Sequence, residues 1–149
     1  NQYAMSTPVK RAVSSPSIAE RARAYGMQTM VVDGNDVVSV FVATRAAAEK
    51  ARHDSEPVFL ECVTYKMKGH GVYDKGDYRP KEEVAKWLEK DPIKVFKERL
   101  LERQLMTQAE MYEDESATQS EGEESVEVAM KGTPLPFDEI KNYVYAEGP

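Results

Sequence analysis

The sequence predicts an α/β fold in which a parallel sheet is flanked by helices and followed by a helical C-terminal extension. Two short apolar runs enclose a helix-length segment, which is the pattern of a strand–helix–strand crossover. Several helix-start signals then follow one another in the second half of the chain. With 149 residues, of which 41% are hydrophobic and 31% charged, the chain can form one modest globular core.

The first helix is expected over residues 17–25. Ser17 and Glu20 match the S-x-x-E capping box, and Gly26 can take the left-handed conformation that ends a helix. Residues 29–32 then form a short apolar run, which we interpret as a strand.

The next segment completes the crossover. Residues 33–36 (Asp-Gly-Asn-Asp) have the composition of a turn that ends in helix N-caps. A helix is predicted over residues 37–52 and a second strand over residues 58–65, so the two strands should be parallel and buried on both faces. Three large residues lie on the apolar side of that helix: Val38, Phe41 and Val42.

Residues 66–79 form a long connection after the second strand, rich in glycine, charge and aromatic side chains. Ligands of parallel sheets gather outside the carboxyl ends of the strands, so this loop is the candidate functional segment.

Helices are expected to fill the rest of the chain. Pro80 opens one helix, and Asp91 with Pro92 supplies the N-cap and first position of the next. Thr107 and Glu110 suggest a further capping box. The acidic stretch that follows is predicted to be either a solvated helix or disordered. Residues 137–145 form a short tail that could dock on a neighbour.

Charge and composition exclude several classes of protein. The formal net charge is −6, so the chain lacks the basic surface that nucleic acid requires. The negative charge comes from one segment without Lys or Arg, whose eight acids are Glu110, Glu113, Asp114, Glu115, Glu121, Glu123, Glu124 and Glu127. No apolar run approaches the ~20 residues that span a bilayer. The single cysteine, Cys62, lies in an apolar run and is interpreted as a core residue in a reducing compartment.

Two stretches resemble a known family. Residues 1–8 (Asn-Gln-Tyr-Ala-Met-Ser-Thr-Pro) resemble the end of the thiamine-diphosphate motif, which starts with Gly-Asp-Gly and closes with paired asparagines. Residues 64–70 (Thr-Tyr-Lys-Met-Lys-Gly-His) with Asp74, Tyr78 and Arg79 resemble the strand and active-site loop of 2-oxo acid dehydrogenase alpha subunits. Residues 33–36, between the two stretches, and residues 91–93, after the second, also fit the pattern of this family. The resemblance extends over residues 1–105 and implies the C-terminal part of a thiamine-diphosphate-binding fold.

The resemblance implies a cofactor and metal site at the start of the chain. Asn1 matches a residue whose side-chain oxygen binds magnesium, and Tyr3 matches one whose backbone carbonyl does so. Magnesium is a hard cation that prefers oxygen ligands and bridges phosphates. Tyr3, Lys66, Gly69 and His70 are the cofactor-binding residues carried over from the family. Lys66 stands where many relatives have arginine.

The resemblance also assigns chemistry to the loop. His70 matches a histidine that lies over the cofactor and assists acyl transfer to lipoamide, a task that suits an imidazole. Asp74, Tyr78 and Arg79 belong to the active-site loop, which a pair of Asp74 with Arg79 could order. Gly71 occupies the position of a phosphorylatable serine in regulated mitochondrial relatives. A bacterial-type, cytoplasmic enzyme is therefore expected over a mitochondrial one.

Three segments follow from this reading. Residues 1–79 are the C-terminal part of the diphosphate-binding domain with the active-site loop at 66–79, residues 80–106 a helical extension, and residues 107–149 an acidic segment with a docking tail. The implied partners are a beta subunit, in an assembly of two alpha and two beta chains, and a lipoyl transacylase. The Gly-Asp-Gly half of the motif and the N-terminal half of the alpha subunit are not in this sequence, so we expect the isolated chain to be inactive.

Several alternatives stay open from the sequence. The substrate could be pyruvate, a branched-chain 2-oxo acid or acetoin, since acetoin dehydrogenases share these motifs. The chain could also act as half of a split alpha subunit, completed by a separate N-terminal chain. A third possibility is a non-catalytic module whose acidic segment binds a basic partner.

Overall fold

The computed structural model describes residues 1–144 and Ala146. It divides into two compact units, residues 1–103 and residues 104–149. The division into three segments at residues 79 and 106 stays a prediction.

The N-terminal segment is a hairpin followed by one helical turn. Strand β1 (Tyr3–Ala4) pairs antiparallel with β2 (Thr7–Pro8), and helix α1 (Val9–Ala12) follows directly. The amide of Val9 donates to the carbonyl of Gln2 at 2.8 Å and closes the hairpin. The sequence does not predict this hairpin, because two-residue strands are too short for an alternating pattern to be recognised.

Helix α2 (Ala19–Arg23) is shorter than the helix expected over residues 17–25. One half of the expected capping box is present, since the Glu20 amide donates to Ser17 Oγ at 3.3 Å. A second cap comes from far along the chain, where Glu61 Oε2 accepts from the Ala19 amide at 2.8 Å. Gly26 adopts φ +73°, as its predicted role in ending the helix requires.

The crossover forms as predicted. Strand β3 (Gln28–Asp33) and strand β4 (Val58–Val63) pair in parallel, in a register that runs from Gln28 opposite Val58 to Asp33 opposite Val63. Helix α3 (Val37–Asp54) connects them, and Asp36 caps it by accepting from the amides of Val38 and Ser39. The carboxyl ends of both strands therefore lie at one edge of the sheet.

The expected burial of this region is wrong in two places. Val31 of β3 is 50% exposed and Cys62 of β4 is exposed, so the strands are not covered on both faces and Cys62 is not a core residue. Helix α3 turns its Ala43 side toward β3 and β4, because small side chains let a helix approach a sheet closely. Its larger apolar residues consequently face outward, with exposures of 45% for Val38, 65% for Phe41 and 59% for Val42.

Helices α4 (Lys81–Leu88) and α5 (Pro92–Glu102) are fixed to the carboxyl end of β3. The buried Asn35 donates from Nδ2 to the carbonyl of Lys90 at 2.9 Å. Arg99 Nη1 lies 3.0 Å from Asp36 Oδ1, so the residue that caps α3 also holds α5. Asp91 and Pro92 begin α5 as predicted, with Asp91 accepting from two backbone amides.

The second unit contains helix α6 (Gln108–Lys131) and a 3₁₀ helix (Phe137–Tyr143). Both halves of the Thr107–Glu110 capping box are present. The acidic stretch was predicted to be either a solvated helix or disordered, and the structure shows the helix, which continues through Gly122. In the predicted docking tail, Tyr145 lies outside the described residues, as do residues 147–149. Among the described helices, none is long and apolar enough to cross a membrane.

The turn after β3 depends on a glycine. A Cβ at Gly34 would lie 2.5 Å from Thr64 Cγ2 and 3.0 Å from the Val63 carbonyl oxygen, with which the Gly34 amide bonds at 2.8 Å. We expect Gly34→Ala to lower the free energy of unfolding in urea by about 1–3 kcal/mol through this overlap. Thr64→Ser removes Cγ2, so the double variant should recover part of the loss. Equal losses with and without Thr64→Ser would contradict this explanation.

Candidate active site

The candidate site begins where β4 ends and the N-terminal segment lies alongside. The Lys66 amide donates to the Asn1 carbonyl at 3.0 Å, and Gln2 Nε2 donates to the Thr64 carbonyl at 3.4 Å. Lys66 Nζ in turn lies 3.1 Å from His70 Nδ1. The structure therefore brings Asn1, Lys66 and His70 into one connected group at the carboxyl edge of the sheet.

The Asp74 carboxylate organises the loop of residues 66–79. Its Oδ2 accepts from the His70 amide at 2.7 Å and from the Tyr78 hydroxyl at 2.8 Å, and its Oδ1 accepts from the Gly76 amide at 2.8 Å. These bonds lower the pKa of Asp74 below its ordinary value, and the bond from the His70 amide contributes most. Partial desolvation acts in the opposite direction and raises this pKa. Burial and the nearby Asp74 carboxylate raise the pKa of Tyr78.

Arg79 does not pair with Asp74, the partner that the sequence suggested for it. Its guanidinium donates from Nη1 to the Lys66 carbonyl, and its Cζ lies 5.6 Å from the centroid of the Tyr78 ring. Arg79 is 7% exposed, so this buried bond joins the last residue of the loop to the first. Asp74 has three neutral donors of its own loop as partners, which makes the arginine unnecessary for ordering it.

An aromatic cluster connects the N-terminal hairpin with the loop. The Tyr3 ring meets that of Tyr65 edge-on at 5.9 Å and lies 5.9 Å from that of Tyr78, while Tyr65 stacks on Trp87 at 5.1 Å. Burial raises the pKa of the Tyr65 hydroxyl to about 12, with a contribution from the negative charge of Glu83. Tyr3 donates to Glu83 Oε2 at 3.3 Å, and burial followed by that bond raises the pKa of Tyr3.

Glu83 and Glu61 are the site residues that sequence reasoning missed. Each acts on a segment more than 40 residues away, Glu83 on Tyr3 and Glu61 on Ala19. Neither contact leaves a local signal, because each depends on how α4 and β4 pack against the N-terminal region.

His70 itself is exposed, and the glycine before it has no room for a side chain. A Cβ at Gly69 would overlap the carbonyl oxygen of Asp74, whereas one at Gly71 would meet only the Tyr73 ring, at 2.7 Å. Tyr73 is 73% exposed and can rotate away. Gly69 is therefore required for the backbone path that presents His70.

The predicted metal ligands offer oxygen atoms of the right type. Asn1 Oδ1 accepts from the Tyr3 amide at 3.3 Å, which places Oδ1 beside the Tyr3 backbone. Neutral oxygens of this kind suit magnesium, which takes roughly six oxygen ligands, some of which phosphate groups commonly supply. Among residues 1–144 and Ala146, no group of three or more His, Cys, Asp and Glu could hold a metal ion. Asn1 and Tyr3 thus offer oxygens of the kind that magnesium binds, and their role as its ligands stays a prediction.

A cleft of about 490 Å³ opens beside Asn1. It reaches from the hairpin over the exposed face of the sheet, and its lining includes Asn1, Lys10, Glu61 and Val63. His70 is not among its lining residues. Of the predicted site residues, only Asn1 is in contact with this cleft.

Comparison with known proteins places these features in a family. The family model described as dehydrogenase E1 component matches residues 1–136. The chain belongs to this family. Dehydrogenase E1 components depend in general on thiamine diphosphate, in agreement with the cofactor that the resemblance implied.

Three similar proteins illustrate the relationship. The pyruvate dehydrogenase E1 component subunit alpha of Porphyra purpurea is 33% identical over 147 residues, covering 99% of this chain and 43% of the relative. That of Acholeplasma laidlawii is 34% identical over 150 residues, with 99% and 44% covered. The 3-methyl-2-oxobutanoate dehydrogenase subunit alpha of Mycobacterium tuberculosis is 36% identical over 149 residues, with 99% and 40% covered. This E1 chain therefore spans less than half the length of the curated relatives it matches.

The two glycines that flank His70 should respond differently to substitution. We expect Gly69→Ala in the E1 chain to displace the loop, because its Cβ overlaps backbone, and Gly71→Ala to leave the loop in place. Amide chemical shifts of residues 66–79 would measure this difference. Similar shift changes in both variants would show that the backbone around Gly69 is not fixed as described.

Acid should loosen the loop through Asp74. Because the folded-state pKa of Asp74 is lowered from its ordinary value of 3.8, its hydrogen bonds stabilise the loop fully above that value, and this stabilisation is lost as the pH falls through the lowered folded-state pKa. The measurement is the hydrogen-exchange protection of the His70 and Gly76 amides between pH 7 and pH 3. Asp74→Asn should reduce protection at pH 7, and Asp77→Asn, at an exposed position of the same loop, should not. Equal protection of both amides in Asp74→Asn and in the unchanged chain at pH 7 would refute this role.

Proposed function

We propose that this chain forms part of the alpha subunit of a thiamine-diphosphate-dependent 2-oxo acid dehydrogenase. The reaction is the oxidative decarboxylation of pyruvate or a branched-chain 2-oxo acid, with transfer of the acyl group to lipoyl-lysine. The observation that carries the proposal is the connected group of Asn1, Lys66 and His70 at the carboxyl edge of the parallel sheet. Family membership and the names of the relatives support it.

In this proposal some residues of the site bind the cofactor and its metal, and one residue takes part in the reaction. Asn1 and Tyr3 would hold magnesium and, through it, the diphosphate of the cofactor, and Lys66 would add a positive charge at the edge of that pocket. When bound, thiamine diphosphate supplies the electron sink for decarboxylation. His70 extends from an ordered loop into solvent, where it can exchange a proton with an incoming lipoyl group.

Other chains complete the enzyme in this proposal. A beta subunit would complete the cofactor site, and the lipoyl transacylase would accept the acyl group. The predicted assembly has two alpha and two beta chains and works in the cytoplasm of a bacterial-type cell. The isolated chain is inactive under this proposal, because two metal ligands and one histidine do not make a complete site.

The function is tested in the assembled enzyme, with the alpha subunit that contains this sequence and its beta subunit. Pyruvate, 3-methyl-2-oxobutanoate and acetoin would each be supplied with magnesium and thiamine diphosphate, and acyl transfer to a lipoyl domain measured. We expect turnover with one of the two 2-oxo acids. Turnover with acetoin alone would favour an acetoin dehydrogenase, and no turnover in the presence of all components would reject the proposal.

His70 provides the sharpest prediction of this function. We expect His70→Ala to reduce acyl transfer by about a hundredfold, in the range of general acid–base catalysis. His53→Ala is the matched control, because His53 is 89% exposed on α3 and should leave turnover unchanged. A His70→Ala enzyme within about twofold of wild type, or ~0.4 kcal/mol, would exclude a catalytic role.

A further inference from the structure

The two histidines of the chain have opposite partners at the same ring nitrogen. His53 Nδ1 lies 2.8 Å from Asp54 Oδ1, whereas His70 Nδ1 lies 3.1 Å from Lys66 Nζ. A carboxylate only accepts hydrogen bonds and an ammonium group only donates them. His53 must therefore carry a proton on Nδ1, and His70 must offer a lone pair there.

Both ends of the Lys66–His70 contact are anchored. The Lys66 amide donates to Asn1 at 3.0 Å and the Lys66 carbonyl accepts from Arg79, so the lysine side chain leaves a backbone that is held on both sides. The His70 amide is held by Asp74 at 2.7 Å. The contact thus joins two side chains whose backbones are each held by hydrogen bonds.

The geometry points to Lys66 as a positioning residue that holds His70 in the tautomer with its proton on Nε2. The ring then presents an N–H donor away from the lysine, toward whatever faces the loop. Under the proposed function, on which this inference rests, His70 meets the lipoyl group or the cofactor first as a hydrogen-bond donor. Its ligand would be an acceptor such as a sulfur, carbonyl or phosphate oxygen atom.

This role differs from the one that the resemblance implies for Lys66. A lysine that only contacts a diphosphate would change cofactor affinity when removed, without altering the histidine. A positioning lysine would change the state of the imidazole even without cofactor. The two roles can therefore be separated by measurements on the chain alone.

The first test uses nitrogen spectra of the two histidine rings in the ¹⁵N-labelled chain at a pH where both rings are neutral. We expect the Nε2–H tautomer for His70, with Nδ1 shifted by the hydrogen bond that it accepts, and the Nδ1–H tautomer for His53. Lys66→Met should abolish the Nδ1 shift of His70 and increase the motion of the ring. Lys66→Arg should preserve the shift, because a guanidinium also only donates. Lys68→Met, at an exposed position of the same loop, is the control that should change neither.

The second test uses the assembled enzyme. We expect Lys66→Met, measured at saturating cofactor, to lower kcat for acyl transfer about tenfold through loss of orientation, and Lys66→Arg to recover the activity. Unaltered His70 spectra in Lys66→Met would overturn the inference, and so would a loss of activity that arises wholly from weaker cofactor binding. If His70→Ala leaves turnover intact while the spectra still depend on Lys66, the proposed function fails and the positioning contact stands.

Discussion

The two backbone bonds of Lys66 hold the candidate site together. The amide of Lys66 bonds to the Asn1 carbonyl, and its own carbonyl accepts from the buried guanidinium of Arg79. One bond fixes the N-terminal segment to the end of β4, and the other closes the loop back onto its starting point. The side chain of the same residue contacts His70, so Lys66 links Asn1 with the loop histidine.

The loop gains its shape from a carboxylate that pairs with neutral donors. Asp74 accepts from the His70 and Gly76 amides and from the Tyr78 hydroxyl, so its charge is satisfied by dipoles within the loop. Such an arrangement places the His70 backbone directly. Arg79 is thereby free to act at the other end of the loop, and the Tyr78 ring is free to pack against Tyr3.

The helices were largely predictable, because their signals are local. The caps of α3, α5 and α6 stand in the sequence at Asp36, Asp91 and Thr107, and the structure uses all three. The parallel pairing of β3 and β4 followed from the helix between them. Burial was less predictable, since the apolar pattern of α3 does not reveal which side meets the sheet. In the structure the alanine side of α3 meets the sheet, and Phe41 faces outward.

The sequence by itself determined the elements from α2 to α6, their order and the family to which the chain belongs, because capping residues, turns and motifs are local features of the sequence. Only the tertiary structure decided the partners within the site. It turned Arg79 from Asp74 to the Lys66 carbonyl, added Glu83 to Tyr3, and set Lys66 against one nitrogen of His70. These contacts join residues 4 to 80 positions apart, and their geometry depends on how the elements pack rather than on which residues stand beside each other.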